Sequence, residues 1–546
     1  MSRRTMTALA IALGVALLLS RTDAQARTIW PPLAALLVIG ATRHALVGLL
    51  AGAFAGALML AGGDPWRAYV QLLGDHLAPS LGSSWKTGAI AFTLVLGGFA
   101  AVLERGGGFA ALLRRWVRPG RGARTRLETA ATGLGLLCFF DGLANSMVVG
   151  RVCRDLGDRC GVPRVKLAYI VDSTSSAVAC VAIVSTWIAF QLSMIAEAYA
   201  AAGQPANPYV VFLQSLPYNF HCWFTLVLLG VAVRTRFHPG PMGRYERAAT
   251  SPAGPAGTGT GAFPTADAGT GGAPPPSVGE AARATLLPLG VLLVAFLAGF
   301  VVLGAPRPVL PLTREKVVAA FGSDAGPLVL VLAGLLATLA AVVLYPRRAP
   351  GGRAATAAAF LDGVRAMGGA IWILLAAWML GSVLEALGTA RTLTALLAAG
   401  GALPLVPLLT FVTGAAVSFA TGTSWGTMGL LFPLAIPAAA GAGADASLLS
   451  VTVAAVFSGA VFGDHCSPFS DTTVVTAISC GVETHDHVVT QLPYALITAL
   501  VACLAGFLPA GFGAPAWVSL LAGTVLLVLL PRLWPAAVTP PEEAHG

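Results

Sequence analysis

Four aspartates, Asp141, Asp172, Asp464 and Asp471, stand inside otherwise apolar stretches of the sequence. A carboxylate at bilayer depth costs roughly 2.5–3.5 kcal/mol on insertion scales, so an intramembrane acid is a functional-site hypothesis by default. Short polar side chains accompany them: Asn145 and Ser146 beyond Asp141, Ser173-Thr174-Ser175-Ser176 beyond Asp172, and Ser467, Ser470 and Thr472-Thr473 around Asp464 and Asp471. A further polar run, Thr421-Gly422-Thr423-Ser424-Trp425-Gly426-Thr427, interrupts another apolar stretch. Carboxylate, hydroxyl and amide oxygens in that company suit a hard cation or a proton. His465, beside Asp464, carries a side chain that titrates near neutral pH and is a candidate pH-sensitive group. A hydrogen-bonded structural histidine within a helix break is the competing reading.

The chain that must position these groups has 546 residues, 56% hydrophobic and 10% charged, against about 25% charged in soluble domains. That excludes a soluble enzyme. Apolar runs of about 17–25 residues recur along nearly the whole length, each long enough to cross roughly 30 Å of hydrocarbon as a helix. The fold class is an all-α polytopic membrane protein of about 10–12 transmembrane helices. The net charge of +9 resides in short connections between apolar runs. It forms no aromatic-interleaved face, so it signals topology rather than nucleic-acid binding. The eight cysteines make no CxxC pair and read as small buried hydrophobes. Residues 1–26 have the layout of a signal peptide: Arg3 and Arg4 precede an apolar stretch from Met6 to Leu19, and Ala24-Gln25-Ala26 has the form of a cleavage site. An uncleaved first span is the alternative.

Lysine occurs only at positions 86, 166 and 316, so arginine carries the orientation signal. Dense basic clusters fall at Arg105 to Arg126, Arg151 to Lys166, Arg234 to Arg247 and Arg347 to Arg353, with a last basic position at Arg532, all cytoplasmic by the positive-inside rule. Only one apolar stretch, Thr129 to Gly150, separates the first two clusters, and a single crossing would put one of them outside. A re-entrant hairpin near 129–150 removes the conflict and places Asp141 and Asn145 at its tip. Polar groups at that depth need protein or a water-filled cavity around them. Between Thr392 and Pro531 there is no lysine or arginine. The apolar stretch near 404–440, too long for one span, suits a second hairpin entered from outside, with Thr421 to Thr427 at its tip. Residues 249–283, rich in Gly, Pro, Ala, Ser and Thr, read as a disordered cytoplasmic linker between a first membrane half, 27–248, and a second, 284–535. Residues 536–546 form a tail.

The two halves echo each other. Ala101-Val102-Leu103-Glu104-Arg105-Gly106-Gly107 resembles Ser382-Val383-Leu384-Glu385-Ala386-Leu387-Gly388, and the same offset of about 281 residues lays the Asp141 tip over the Thr421 tip. After each hairpin comes an apolar span broken by polar residues, at Asp172 to Ser176 and at Asp464 to Thr473. The arginine map gives these units opposite orientation. Inverted repeats with interrupted helices are the pattern of secondary transporters, whose site lies near the midplane where the breaks meet. Close helix packing accounts for single Gly, Ser and Thr residues within spans, but not for four acids.

At these residues the sequence resembles the NhaC-type sodium/proton antiporter family, within the ion transporter superfamily. The resemblance is carried by Gly463-Asp464-His465-Cys466-Ser467-Pro468-Phe469-Ser470-Asp471-Thr472-Thr473 with Asp486-His487-Val488 and Thr490-Gln491-Leu492-Pro493-Tyr494-Ala495. Lys166-Leu167-Ala168-Tyr169-Ile170, Ser424-Trp425-Gly426-Thr427 and Pro217-Tyr218-Asn219-Phe220 add further matches, so that it spans about Trp30 to Pro531. It implies a scaffold and a mobile transport unit with two hairpins, and sodium/proton exchange as the leading activity. The family also includes carriers of organic acids, of the malate/lactate type, and of amino acids, which the motifs do not separate. The leader and the linker lie outside the pattern.

On this reading the ion- and proton-binding set is Asp141, Asn145, Asp172, Ser173, Thr174, Thr421, Thr423, Ser424, Asp464, Ser467, Asp471 and Thr472, with Na⁺ expected at Asp172 and Asp464. Burial disfavours the charged form of a carboxyl group, so one acid that holds either Na⁺ or a proton exchanges one for the other. No cofactor is required beyond the transported Na⁺ and H⁺. The expected partners are the lipid bilayer of the cell inner or plasma membrane and, by analogy with the superfamily, a second copy in a homodimer. An organic-anion carrier would want a cationic side chain at the site. The motif spans hold only Lys166, at the very start of one, although helix N-termini at the hairpin tips can substitute. His485-Asp486-His487 reads as a cytoplasmic connection or pH-sensing loop rather than a metal pair. An intramembrane enzyme would need a nucleophile with a placed base or a metal trio, and neither is present in the sequence.

Overall fold

In lipid the backbone must bond to itself, and apolar runs of this length do so as helices. A computed structural model describes residues 3–22, 26–117, 120, 122–204, 206–250, 277–346, 352–400 and 402–538. Among them the chain is helical throughout, with a single antiparallel bridge between Phe237 and Val538. Eight helices are long and apolar enough to cross a membrane, or up to eleven when each of three bent helix pairs counts as one span. The protein is a multi-pass membrane protein.

The helix Gly326–Val343 shows how such a sequence packs. It buries Gly326, Val329, Ala333, Gly334, Ala337 and Ala341, and exposes Leu328, Leu332, Leu335, Leu336 and Leu339. Apart from Val329 and Leu330 the inward residues are small and most leucines turn outward, as expected when hydrocarbon, not water, surrounds the helix and close approach drives association.

The element order repeats. In the first half, helices Ala123–Leu137 and Gly142–Arg159 form a pair, followed by Arg164–Val181 and Thr186–Ala201, a span bent by 43°. In the second half, Val406–Thr421 and Ser424–Gly441 form the pair, followed by Ala446–Cys466 and Asp471–Cys480. Packing repeats as well. In each half, the second helix of the pair lies against the first segment of its own broken span. It also lies against the second segment of the other half's broken span: Gly142–Arg159 on Asp471–Cys480, and Ser424–Gly441 on Thr186–Ala201.

The stretches near 129–150 and 404–440 fall within these two helix pairs, whose members contact each other across a short break. The first pair extends beyond the apolar stretch at both ends, and Arg124 in its first turn finds buried partners, described below. Of the 249–283 linker, residues 251–276 lie outside the described residues, as do Ala24 and Gln25 at the leader's end and 539–546 of the tail. The helix Arg3–Leu19 packs through Ala8, Ala12 and Ala16, and the Trp30 indole donates to the Ala12 carbonyl at 2.9 Å.

Candidate ion and proton site

Asp464 closes the helix Ala446–Cys466. The helix stops there because Ser467 precedes a proline and adopts an extended conformation. The chain turns back so that Ser470 donates to Asp464 Oδ1 at 2.5 Å, while Thr473 and Thr472 donate to the Asp464 carbonyl at 2.9 and 3.3 Å. Ser176, from the other half, donates to Oδ2 at 2.5 Å. Two glycines four residues apart set the position of this helix: a Cβ on Gly459 would lie 2.8 Å from the Phe411 carbonyl, and one on Gly463 would collide with the backbone of Ser418. Helix Ala446–Cys466 therefore runs backbone against backbone along Val406–Thr421.

Asp172 lies in mid-helix and is fully buried. Its Oδ2 accepts from Gln491 Nε2 at 2.7 Å and from His487 Nε2 at 3.2 Å, while Oδ1 has no protein partner. Gln491 Oε1, beside it, is likewise without a partner, and Gln491 also donates to the His465 carbonyl. Ser173 Oγ and His465 Nε2 are 3.0 Å apart. The helix of Asp172 thus meets the Asp464 segment twice across the interface between halves: Ser176, one turn beyond Asp172, bonds Asp464 itself, and Ser173, next to Asp172, contacts His465, next to Asp464.

His487 and Gln491 join the site from outside the expected residues, and Ser176 and Ser470, noted only as polar company of the acids, bond Asp464 directly. The expectation that His485-Asp486-His487 is a loop differs from the structure, where His487 is fully buried in the first turns of helix Thr484–Val501. The helix begins ahead of the apolar run, so its polar start resembles a connection. A signal was present, since His487, Gln491 and Tyr494 recur at i, i+4 and i+7, one face of a helix.

The other expected residues divide by role. Asp141 is the N-cap of Gly142–Arg159, accepting from the Ala144 amide at 2.6 Å and from Thr186 Oγ1 at 2.8 Å. Asn145 donates to the carbonyls of Gly135 and Thr174 at 2.9 and 2.8 Å, leaving its own Oδ1 without a partner. The Thr174 hydroxyl bonds within its own helix. Thr423 caps Ser424–Gly441, Ser424 donates to the Ala460 carbonyl at 3.0 Å, and Ser467 to the Phe419 carbonyl at 2.7 Å. The Thr421 hydroxyl bonds back to the Ser418 carbonyl. These groups hold the breaks in place. Thr472 joins the Asp464 group through Ser470 at 2.9 Å. Asp471 is exposed in the first turn of Asp471–Cys480, where a carboxylate suits the positive helix end, and stands outside the hydrogen bonds around Asp464.

Beneath Asp172 on the arginine-rich side lies a buried charged cluster. Lys166 Nζ is 2.8 Å from Glu128 and 3.5 Å from Glu246. Arg124 pairs with both acids, and His238 Nε2 lies 3.8 Å from Glu246. Two cations balance two acids. Tyr169 and Tyr494, stacked at 4.0 Å, fill the level between this cluster and Asp172, and Tyr494 Oη contacts His238 Nδ1 at 3.1 Å.

The chain matches the Na⁺/H⁺ antiporter family over residues 178–511, a stretch that begins just after Asp172 and contains Asp464, His465, His487 and Gln491. It is 30% identical over 489 residues to an uncharacterized protein of Haemophilus influenzae, covering 89% of this chain and 91% of that one. A 108-residue stretch is 37% identical to the malate-2H(+)/Na(+)-lactate antiporter of Bacillus subtilis, covering 19% of this chain and 22% of the relative. Among solved structures, the Alcanivorax borkumensis YdaH transporter aligns with a TM-score of 0.55 at 17% identity, covering 84% of this chain and 90% of that one, a likeness of fold. The chain belongs to the Na⁺/H⁺ antiporter family.

Proposed function

We propose that this secondary transporter exchanges Na⁺, or Li⁺, for H⁺ across the cell membrane by alternating access, with the cation bound between Asp464 and Asp172 and Asp464 the acid that trades it for a proton. The observation that carries this reading is the meeting of two buried acids, one from each half, where Ser176 from the helix of Asp172 bonds Asp464 and Ser173, next to Asp172, contacts His465, next to Asp464. Asp464 offers a hard cation its carboxylate, the hydroxyls of Ser176, Ser470 and Thr472, and a main-chain carbonyl. A protonated carboxyl offers little to a cation, so the two ligands compete for one place and exchange needs no separate coupling device. Asp141, Asn145, Thr423, Ser424 and Ser467 act as supports that keep both breaks open.

Alternating access requires that one face be closed while the other opens. On this reading the Lys166 cluster and the Tyr169–Tyr494 stack are the contacts that part for the cytoplasmic half of the cycle.

Proteoliposomes loaded with a pH dye test the reading. Added Na⁺ or Li⁺ is expected to dissipate an imposed ΔpH in the wild type. If neither does so while malate, lactate or an amino acid succeeds, Na⁺/H⁺ exchange is not the activity.

A further inference from the structure

The broken span that carries Asp172, Arg164–Val181 with Thr186–Ala201, is held by charge at both ends. At its arginine-rich end Lys166 meets Glu128 and Glu246. In the last two turns of Thr186–Ala201, Glu197 Oε2 lies 3.2 Å from Lys86 Nζ, with the Lys86 and Glu197 side chains only 14% and 13% exposed. Lys86 stands in the first turn of Ser84–Arg105, whose 22 residues reach about 33 Å as a helix. Arg105, at the far end of that helix, belongs to the arginine-rich side, so Lys86 and Glu197 mark the opposite, outer side.

Other contacts fix the pair in place. Lys86 also donates to Ser80 Oγ at 3.0 Å, and its ammonium lies 5.1 Å from the centre of the Trp378 ring. Glycine at 381 leaves room for Glu197 Oε1, which a Cβ there would meet. That oxygen has no hydrogen-bond partner. Gly381 also lines a cavity of about 220 Å³, together with Glu385, Arg391 and Pro433. Stability alone does not call for such a pair, because uncharged replacements of a buried ion pair are often neutral or stabilising. A pair of charges next to a cavity suits a contact that opens and closes: on parting, each ion regains water instead of being stranded. Between the two ties lie Asp172 and the 43° bend, so releasing one end while the other holds would tilt one segment against the other.

We propose that Lys86 and Glu197 are positioning residues for the exchange, forming a latch on the outer end of the Asp172 span that parts when the outer face opens, as the Lys166 cluster parts for the inner one. This rests on the alternating-access reading above, which supplies the second state.

The test uses the full-length protein in right-side-out membrane vesicles. Lys86→Gln combined with Glu197→Gln removes the pair without stranding a charge, and the purified double variant is expected to melt close to the wild-type temperature. The reporter is Ser193→Cys. Ser193 lies one turn before Glu197 on the same helix face, is fully buried, and spends its hydroxyl on its own helix. Labelling of this cysteine by a membrane-impermeant maleimide, taken over the same protein without it, is expected to be at least about fivefold faster in the double variant than with the pair intact. A merely structural tie would leave that rate unmoved in a variant that melts normally. Glu197→Gln alone, the second variant, moves in the same direction. Lys86→Arg keeps the charge and should stay within about twofold of the intact pair. Unchanged labelling in both the double variant and Glu197→Gln, or labelling of Lys86→Arg as fast as the double variant, would overturn the latch. Labelling requires no transported ion, so failure of Na⁺ to dissipate ΔpH is a separate result, which removes the ion assignment and not the latch.

Discussion

Asp464 and Asp172 are both acids buried at the meeting of two halves, but their surroundings differ in kind. Asp464 sits at a helix break and is held by hydroxyls, one on each oxygen. Asp172 sits in an unbroken helix and is held on one oxygen by an amide and an imidazole, with the other oxygen unpartnered. A hydroxyl rotates about its C–O bond and is both donor and acceptor. It donates to a carboxylate and, with the proton swung away, offers a lone pair to a cation. The N–H donors on Asp172 have no such second role at the same atom. Under the exchange mechanism, Asp464 is suited to trading cation for proton, and Asp172 to staying fixed while the exchange happens beside it.

Anchoring follows the same division. The helix of Asp464 is positioned by bare backbone contact at Gly459 and Gly463, which lets a packed surface slide. The helix of Asp172 is tied near its start by Lys166 to Glu128 and Glu246, a contact that either holds or breaks.

The largest expected effect separates the two acids directly. Asp464→Asn should lower Na⁺-driven ΔpH dissipation in proteoliposomes at least about 100-fold, whereas Asp172→Asn should leave measurable exchange with apparent Na⁺ affinity about tenfold weaker. Equal loss in both would erase the distinction. Next comes the anchor. Glu246→Gln leaves Arg124 and Lys166 sharing one acid in a buried place, and removing one partner of a buried pair costs about 3–5 kcal/mol. A clear fall in the melting temperature of the purified protein is expected. Changing Ser470 to Ala beside Asp464 should cost only about 1 kcal/mol by the same measurement. If the two variants melt alike, charge does not anchor the Asp172 helix.

Much of this division was legible in the sequence, and its gaps have physical causes. Apolar runs fixed the helices, and acids within them marked Asp464 and Asp172. By sequence Asp141 is expected among the binding residues; in the structure it is the N-cap of Gly142–Arg159, a role that an aspartate just ahead of Gly142-Leu143-Ala144 suits. The partners of Asp172 escaped because they come from a helix more than 300 positions along the chain, and a contact between helices leaves no trace in spacing. What the sequence does hold is the face formed by His487, Gln491 and Tyr494.

The donors on Asp172 give a smaller, sharper test. Gln491→Leu removes one hydrogen bond of two on Oδ2 and should weaken apparent Na⁺ affinity about fivefold, the equivalent of a bond worth about 1 kcal/mol. Its effect should fall below that of Asp172→Asn. An effect as large as Asp464→Asn would mean that Gln491 coordinates the cation itself, through the Oε1 that has no protein partner, and that Asp172 is no mere fixture.

The smallest effect belongs to the fourth acid. Asp471 follows Asp464 by seven residues, and on sequence it ranks as a member of the same group. The structure separates them by the turn at Ser467 to Ser470, after which Asp471 opens a new helix at an exposed position. A carboxylate there interacts with the positive helix end, a contribution of about 0.3–1 kcal/mol at an exposed site. Asp471→Asn should therefore change Na⁺-driven ΔpH dissipation by less than about twofold and leave its dependence on pH unaltered. A loss approaching that of Asp464→Asn would place Asp471 within the exchange site in another conformation of the cycle. The contrast that matters would then lie between two states of one break, rather than between two acids on two helices.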